Sequence, residues 1–125
     1  MLRTILLVGA GGFLGSISRF MASRLIQGNI SSVFPLGTFV VNIAGCFLIG
    51  LIYGISERSE LFSSGWKMFL TAGFCGGFTT FSTFANENLA LLRDGAYFHF
   101  FLYTGLSIFL GIAATYIGIV ITKLF

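Results

Sequence analysis

Charge is scarce in this chain. Only 9% of its 125 residues are Asp, Glu, Lys or Arg, against about 25% in a typical soluble domain. So few charges cannot cover a water-facing surface. Proline and histidine occur once each and cysteine twice. Cys46 and Cys75 lie inside apolar stretches with no base or cation beside them in sequence. That argues against a disulfide framework and against an activated thiolate, and both read as small packing residues. His99 stands between Phe98 and Phe100 with no Cys, His or carboxylate cluster around it, and a metal centre of that type needs three or four such ligands. There is no carboxylate pair, no nucleophile beside a base and no phosphate-cradling loop ahead of a helix, so an enzyme is not expected. Basic residues are scattered singly, without the clustered patch that nucleic acid requires.

What the chain has is apolar length. Hydrophobic residues make up 56% of it and the mean hydropathy is +0.97. Runs free of charge cover residues 4–18, 25–56, 68–86 and 95–122. The start of the second run holds Gly28, Asn29, Ser31 and Ser32 and precedes Pro35, so its helix should begin at the proline. About 20 residues cross the apolar core of a bilayer. The pattern therefore predicts an all-α integral membrane protein, one domain over residues 1–125, with helices near 3–25, 36–56, 66–92 and 96–122. Arg3 ahead of an apolar run also fits a secretory signal, with Ser16-Ile17-Ser18 as a weak cleavage site. The glycines between Gly9 and Gly15 favour a packing face instead. With four spans, Arg3, Arg58, Lys67 and Lys123 fall on one side and Arg19, Arg24 and Arg93 on the other. Such a balance barely sets an orientation by the positive-inside rule. Either the chain inserts both ways and pairs antiparallel, or another feature decides.

Polar groups inside a membrane are costly and face a partner, a cavity or a pathway. In the first span Gly11, Gly15 and Ala22 share a ridge that lets backbones approach closely. Gly12, Ser16 and Arg19 share its neighbour, and Arg19 either snorkels to the interface or serves a pathway. In the second, Thr38, Asn42 and Gly45 share a face, with Asn42 as an interhelical hydrogen bond or a donor in a pathway. The third runs Gly73-Phe74-Cys75-Gly76-Gly77-Phe78-Thr79-Thr80-Phe81-Ser82-Thr83-Phe84. Gly76-Gly77 followed by two threonines is poor continuous helix. It reads as a mid-membrane break that frees backbone groups for ions, or as a kink packed through glycine. Beyond it, Thr80, Thr83 and Glu87 form one polar stripe, and Ser82 and Asn86 another. In the fourth span Tyr103, Ser107, Gly111 and Ala114 share a close-packing face.

The groups available to line a pathway are the Asn42 amide, hydroxyls and phenylalanine rings. A ring's edge is electropositive, so this lining suits a small anion held by neutral donors, and a small cation or an amphipathic drug less well.

Three motifs give the chain a resemblance to the Fluc/CrcB fluoride channels: Gly11-Gly12-Phe13-Leu14-Gly15-Ser16-Ile17-Ser18-Arg19-Phe20, then Gly37-Thr38-Phe39-Val40-Val41-Asn42, then the residue 73–84 motif quoted above. Ser16 and Phe20 stand where Ala and Tyr are frequent in that family. The resemblance implies a fluoride-selective channel in the cell membrane, passively exporting fluoride that entered as HF. It implies an antiparallel, dual-topology homodimer in the lipid bilayer with two anion pathways along the subunit interface. Phe81 and Phe84 would be ring-edge partners of fluoride and Asn42 a donor, with Ser107, Tyr103 and Thr38 as further candidates. Ser82, Thr83 and Glu87 would form a polar track, and Arg19 would attract the anion at a vestibule. Backbone carbonyls of Gly76 and Thr79 from both chains would hold a structural Na⁺ on the two-fold axis, oxygen ligands that suit a hard cation. The competing readings are a four-helix drug/proton antiporter, in which Glu87 would have to carry the proton, and a non-transporting membrane subunit.

Overall fold

A computed structural model describes residues 1–60 and 62–124. Its elements are α1 (Leu2–Asn29), α2 (Leu36–Arg58), α3 (Ser64–Met68), a π-helical stretch (Phe69–Cys75), α4 (Gly76–Phe78), α5 (Phe81–Arg93) and α6 (Tyr97–Lys123). Three of these, α1, α2 and α6, are each long and apolar enough to cross a membrane. The fourth rod is assembled from the pieces between α3 and α5 and is bent.

The first helix reaches Asn29 rather than ending near residue 25. Its polar last turn is used in capping: Asn29 Nδ2 donates to the Leu25 carbonyl at 2.8 Å, and Gln27 Oε1 accepts from Gly37 N–H at the start of α2 at 3.0 Å. A helix start leaves such amide donors orphaned, and here a side chain from the preceding helix serves one. The turn between α5 and α6 depends on Gly95, whose φ of 74° lies in the left-handed region. Beside it Ala96 N–H returns to the Leu91 carbonyl at 2.8 Å, a glycine-terminated helix end.

The rods pack as two pairs. One pair is α2 with α6; the other is α1 with the π-helical stretch and α4. Glycines carry both contacts. A Cβ on Gly118 would meet the Phe47 carbonyl at 2.5 Å, and one on Gly50 would strike the Thr115 carbonyl. On α1, a Cβ on Gly11 would strike the Phe69 carbonyl and one on Gly15 the Phe74 carbonyl. Small residues let backbones meet this closely where lipid gives no hydrophobic drive between helices. Val41 and Tyr103 are fully enclosed, whereas Phe13, Phe20, Phe98, Phe101 and Phe109 face outward. An apolar exterior over a sparse core is what a hydrocarbon solvent permits.

Candidate functional site

The break in the third rod lies at Thr79 and Thr80, not at the glycines. Thr79 (φ −91°, ψ 159°) and Thr80 (φ −151°, ψ 119°) are extended, while Gly76 and Gly77 remain helical. The reason is packing. A Cβ on Gly77 would meet the Gly12 carbonyl at 2.7 Å and the Ser16 nitrogen at 3.1 Å, so that glycine serves contact with α1 rather than flexibility. Threonine supplies the break because its β-branch suits extended backbone and its hydroxyl caps a helix. Thr80 Oγ1 accepts from Thr83 N–H at 3.2 Å and is 3.1 Å from Thr83 Oγ1.

Three side chains serve the interrupted backbone. Asn42 Oδ1 accepts from Thr80 N–H at 2.8 Å, and Asn42 Nδ2 donates to the Thr80 carbonyl at 3.1 Å. From the opposite side Arg19 Nε donates to the Gly77 carbonyl at 3.0 Å. Thr80 itself caps α5. Arg19 therefore lies within the bundle rather than in a loop, and the basic count across the two membrane faces becomes four against two. An amide carries two N–H groups and two lone pairs, so Asn42 retains one donor and one acceptor site beyond the latch.

The diversion has a consequence for the carbonyls. In an uninterrupted helix Thr80 N–H would serve the Gly76 carbonyl and Thr83 N–H the Thr79 carbonyl. Both donors are held elsewhere, by Asn42 and by Thr80 Oγ1. Gly76 is exposed, and a Cβ there would meet only the Thr71 carbonyl, at 3.7 Å. Carbonyl oxygens released in this way are of the donor type that suits a hard cation. Among the described residues no group of three or more His, Cys, Asp and Glu side chains could hold a metal.

Next to the break opens a groove of about 400 Å³, lined by Asn42, Thr79, Thr80, Phe81, Phe84 and Ser107 along with Cys46, Thr71, Cys75 and Ile108. Ser107 Oγ is buried and has no hydrogen-bond partner among the described residues, an uncommon and costly state. The Phe81 and Phe84 centroids are 5.8 Å apart with rings tilted by 45°. Phe84 lies 5.0 Å from the Tyr103 ring, but Phe81 is 79% exposed.

The remaining predicted residues lie off this groove. Tyr103 Oη donates to Glu87 Oε1 at 3.3 Å, and Thr38 adjoins both. Ser82 and Thr83 gather around Thr80 Oγ1 at the cap. Sequence reasoning missed Cys46, Thr71 and Ile108 as lining; Cys46 and Thr71 lie one turn from Asn42 and Cys75, and Ile108 directly follows Ser107. The Thr80 cap had a readable signal, a threonine pair directly ahead of an amphipathic run.

Residues 6–119 match the family described as CrcB-like protein, Camphor Resistance (CrcB). The chain is 46% identical over 122 residues to the fluoride-specific ion channel FluC of Flavobacterium psychrophilum, covering 98% of both chains. It is 46% identical over 125 residues to FluC of Azobacteroides pseudotrichonymphae, covering both fully. Against FluC of Chlorobium phaeobacteroides the identity is 49% over 120 residues, covering 96% of this chain and 93% of the relative. A glycine-packed, four-rod bundle with a latched break and full-length matches of this kind makes the chain a multi-pass membrane protein of the CrcB-like family.

Proposed function

We propose that the chain is a fluoride-specific ion channel that lets cytoplasmic fluoride leave the cell passively across the cell membrane. The observation that carries this reading is the buried, unpartnered Ser107 hydroxyl in a groove walled by Phe81 and Phe84. The full-length likeness to FluC channels supports it. Fluoride is small and strongly hydrated, so a pathway must replace its water with several donors at once. Ser107 supplies a hydroxyl, Asn42 its remaining N–H, and the phenylalanine edges a weak positive rim. No donor is permanently charged, so the anion is held weakly enough to leave.

The working unit is an antiparallel homodimer with two pathways. Phe81 is mostly exposed on its own chain and Gly76 is open outward. A second copy seated there would dry the groove and bring the Gly76 and Thr79 carbonyls of both chains together. Those four oxygens would hold a Na⁺, which when bound lends the interface a fixed positive centre. Ser82, Thr83 and Glu87, with Thr38 and Tyr103, form a polar track beyond the rings. Arg19 raises the local anion concentration while it caps Gly77.

Purified protein in liposomes tests the reading: fluoride efflux is expected under conditions where chloride stays trapped, and no fluoride efflux would sink it. Phe84→Ile and Phe81→Ile should each abolish efflux while leaving the oligomer intact by gel filtration. Wild-type flux in both would remove the ring edges from the mechanism.

A further inference from the structure

The half-helix that carries both phenylalanines is weakly attached. After the break, α5 packs chiefly on α6 and touches α2 slightly. Apolar contact alone leaves such a helix free to rotate or slide by a residue, and each residue is about 1.5 Å of rise. A ring-edge site tolerates little of that, since a working constellation must be held to roughly 0.5 Å.

One buried and one half-buried polar group, Asn88 and Thr104, answer this need, and neither lines the groove. Asn88 is 7% exposed on α5. Its Oδ1 accepts from Thr104 Oγ1 of α6 at 3.0 Å, and its Nδ2 donates to the Phe84 carbonyl at 3.1 Å. Thr104 directly follows Tyr103, whose ring packs on Phe84 at 5.0 Å. One amide thus grips α6 with its oxygen and the backbone of Phe84 with its nitrogen. Leucine at position 88 would pack as well but would fix no register, because apolar contact is not directional. An amide is: displaced by a residue, it would leave a buried acceptor unsatisfied in the membrane.

We propose that Asn88 and Thr104 are a positioning pair that sets where the Phe84 ring stands in the groove. Its value to transport rests on the channel reading above. A second α5–α6 polar tie, from Tyr103 to Glu87, is longer at 3.3 Å and joins the adjacent turn.

Thr104→Val keeps the shape of the side chain and removes the hydroxyl. Fluoride efflux from vesicles should fall about three- to tenfold, the range that one interhelical hydrogen bond in a membrane supports. Asn88→Leu should fall at least as far, and adding Thr104→Val to it should cost nothing more, since both remove one interaction. Exchange of the pair, Asn88→Thr with Thr104→Asn, should recover part of the loss. The second measurement is independent of transport. With 4-fluorophenylalanine at position 84, the ¹⁹F resonance should shift or broaden in Thr104→Val. It should stay put in Thr115→Val, whose hydroxyl bonds Cys46 and Gly111 carbonyls instead. A resonance unmoved by Thr104→Val overturns the proposal. That resonance decides the positioning pair whether or not wild-type vesicles pass fluoride, and the wild-type efflux alone decides the channel reading.

Discussion

The α2–α6 pair and the broken third rod solve the same problem by opposite means. Both must satisfy backbone groups in a solvent without water. The α2–α6 pair keeps its helices continuous and brings backbones together through glycine: besides Gly50 and Gly118, a Cβ on Gly54 would strike Thr122 Oγ1. The third rod gives up continuity and recruits side chains, with Asn42, Arg19 and Thr80 taking the freed groups. The first arrangement needs only small residues and tolerates no bulk. The second needs particular functional groups at particular atoms. Substitutions in the two regions should therefore fail differently, the first by unfolding and the second by loss of transport in a folded protein.

The largest effect should come from bulk in the first region. Gly118→Leu puts a side chain where the Phe47 carbonyl and Leu51 nitrogen already sit at 2.5 and 2.9 Å from a Cβ. Rigid backbone cannot yield, so the cost should be at least about 3 kcal/mol. No monodisperse protein should be recovered from detergent, and recovery at wild-type yield would show that the pair is not a rigid scaffold. Next comes the latch. Asn42→Asp keeps an acceptor for Thr80 N–H, removes the donor to the Thr80 carbonyl and places a negative charge in the groove. A carbonyl stripped of its partner costs about 1–3 kcal/mol, and the charge repels the anion. Efflux should drop at least about a hundredfold, as several kcal/mol of barrier implies, while the protein still elutes as the wild-type oligomer. A variant that unfolds instead would erase the distinction between the regions.

The same contrast explains what could be read in advance. Helix number, the approximate bounds of α2 and α6, and the polar faces were legible because lipid imposes one rule on every span: apolar length with few polar groups turned inward. On the face of Thr38, Asn42 and Gly45, the last two track the break, Asn42 bonding Thr80 and a Cβ on Gly45 striking Thr79 Cγ2, while Thr38 adjoins Glu87 and Tyr103. The ridge of Gly12, Ser16 and Arg19 likewise meets Gly77. The stretch that holds the break was legible, but not which of its residues make it, because glycine has two uses, as a helix breaker and as a close-packing surface, and only the neighbouring helix tells them apart. The π-helical stretch left no trace in the sequence for a similar reason, since it faces Gly11 and Gly15 across a contact between distant segments. Asn88 could not be singled out from the Asn86-Glu87-Asn88 run, because it gains meaning only from Thr104 across the helix pair.

Ser107 sharpens the comparison because it sits on the scaffold helix α6 yet faces the groove. Its hydroxyl is buried without a partner, so Ser107→Ala removes a desolvation penalty and no hydrogen bond. The protein should be as stable as wild type or slightly more so, by up to about 1 kcal/mol, in a thermal unfolding scan. Fluoride efflux should nonetheless fall about tenfold, the loss of one neutral donor to the anion. A stabilised variant with unchanged efflux would make the bare hydroxyl a packing defect rather than a ligand.

The smallest effect is expected at Glu87, and it separates a channel from an antiporter. Glu87 accepts from the Tyr103 hydroxyl, and Tyr103 is wholly enclosed with its ring against Phe84. Glu87→Gln keeps an oxygen where that bond ends, so Tyr103 and the ring beside it should hold their places. A pathway built from neutral donors does not need the carboxylate to change protonation, and the efflux rate should stay within about threefold of wild type, the worth of a weak neutral-for-charged hydrogen-bond exchange. An antiporter has no such freedom: its acidic group must bind and release a proton in every cycle, and glutamine can do neither. Fluoride efflux that survives Glu87→Gln, and that runs without an imposed pH gradient, leaves passive flow through the latched break as the transport route. Efflux abolished by Glu87→Gln with Tyr103 still in place would transfer the mechanism from the aromatic groove to the carboxylate.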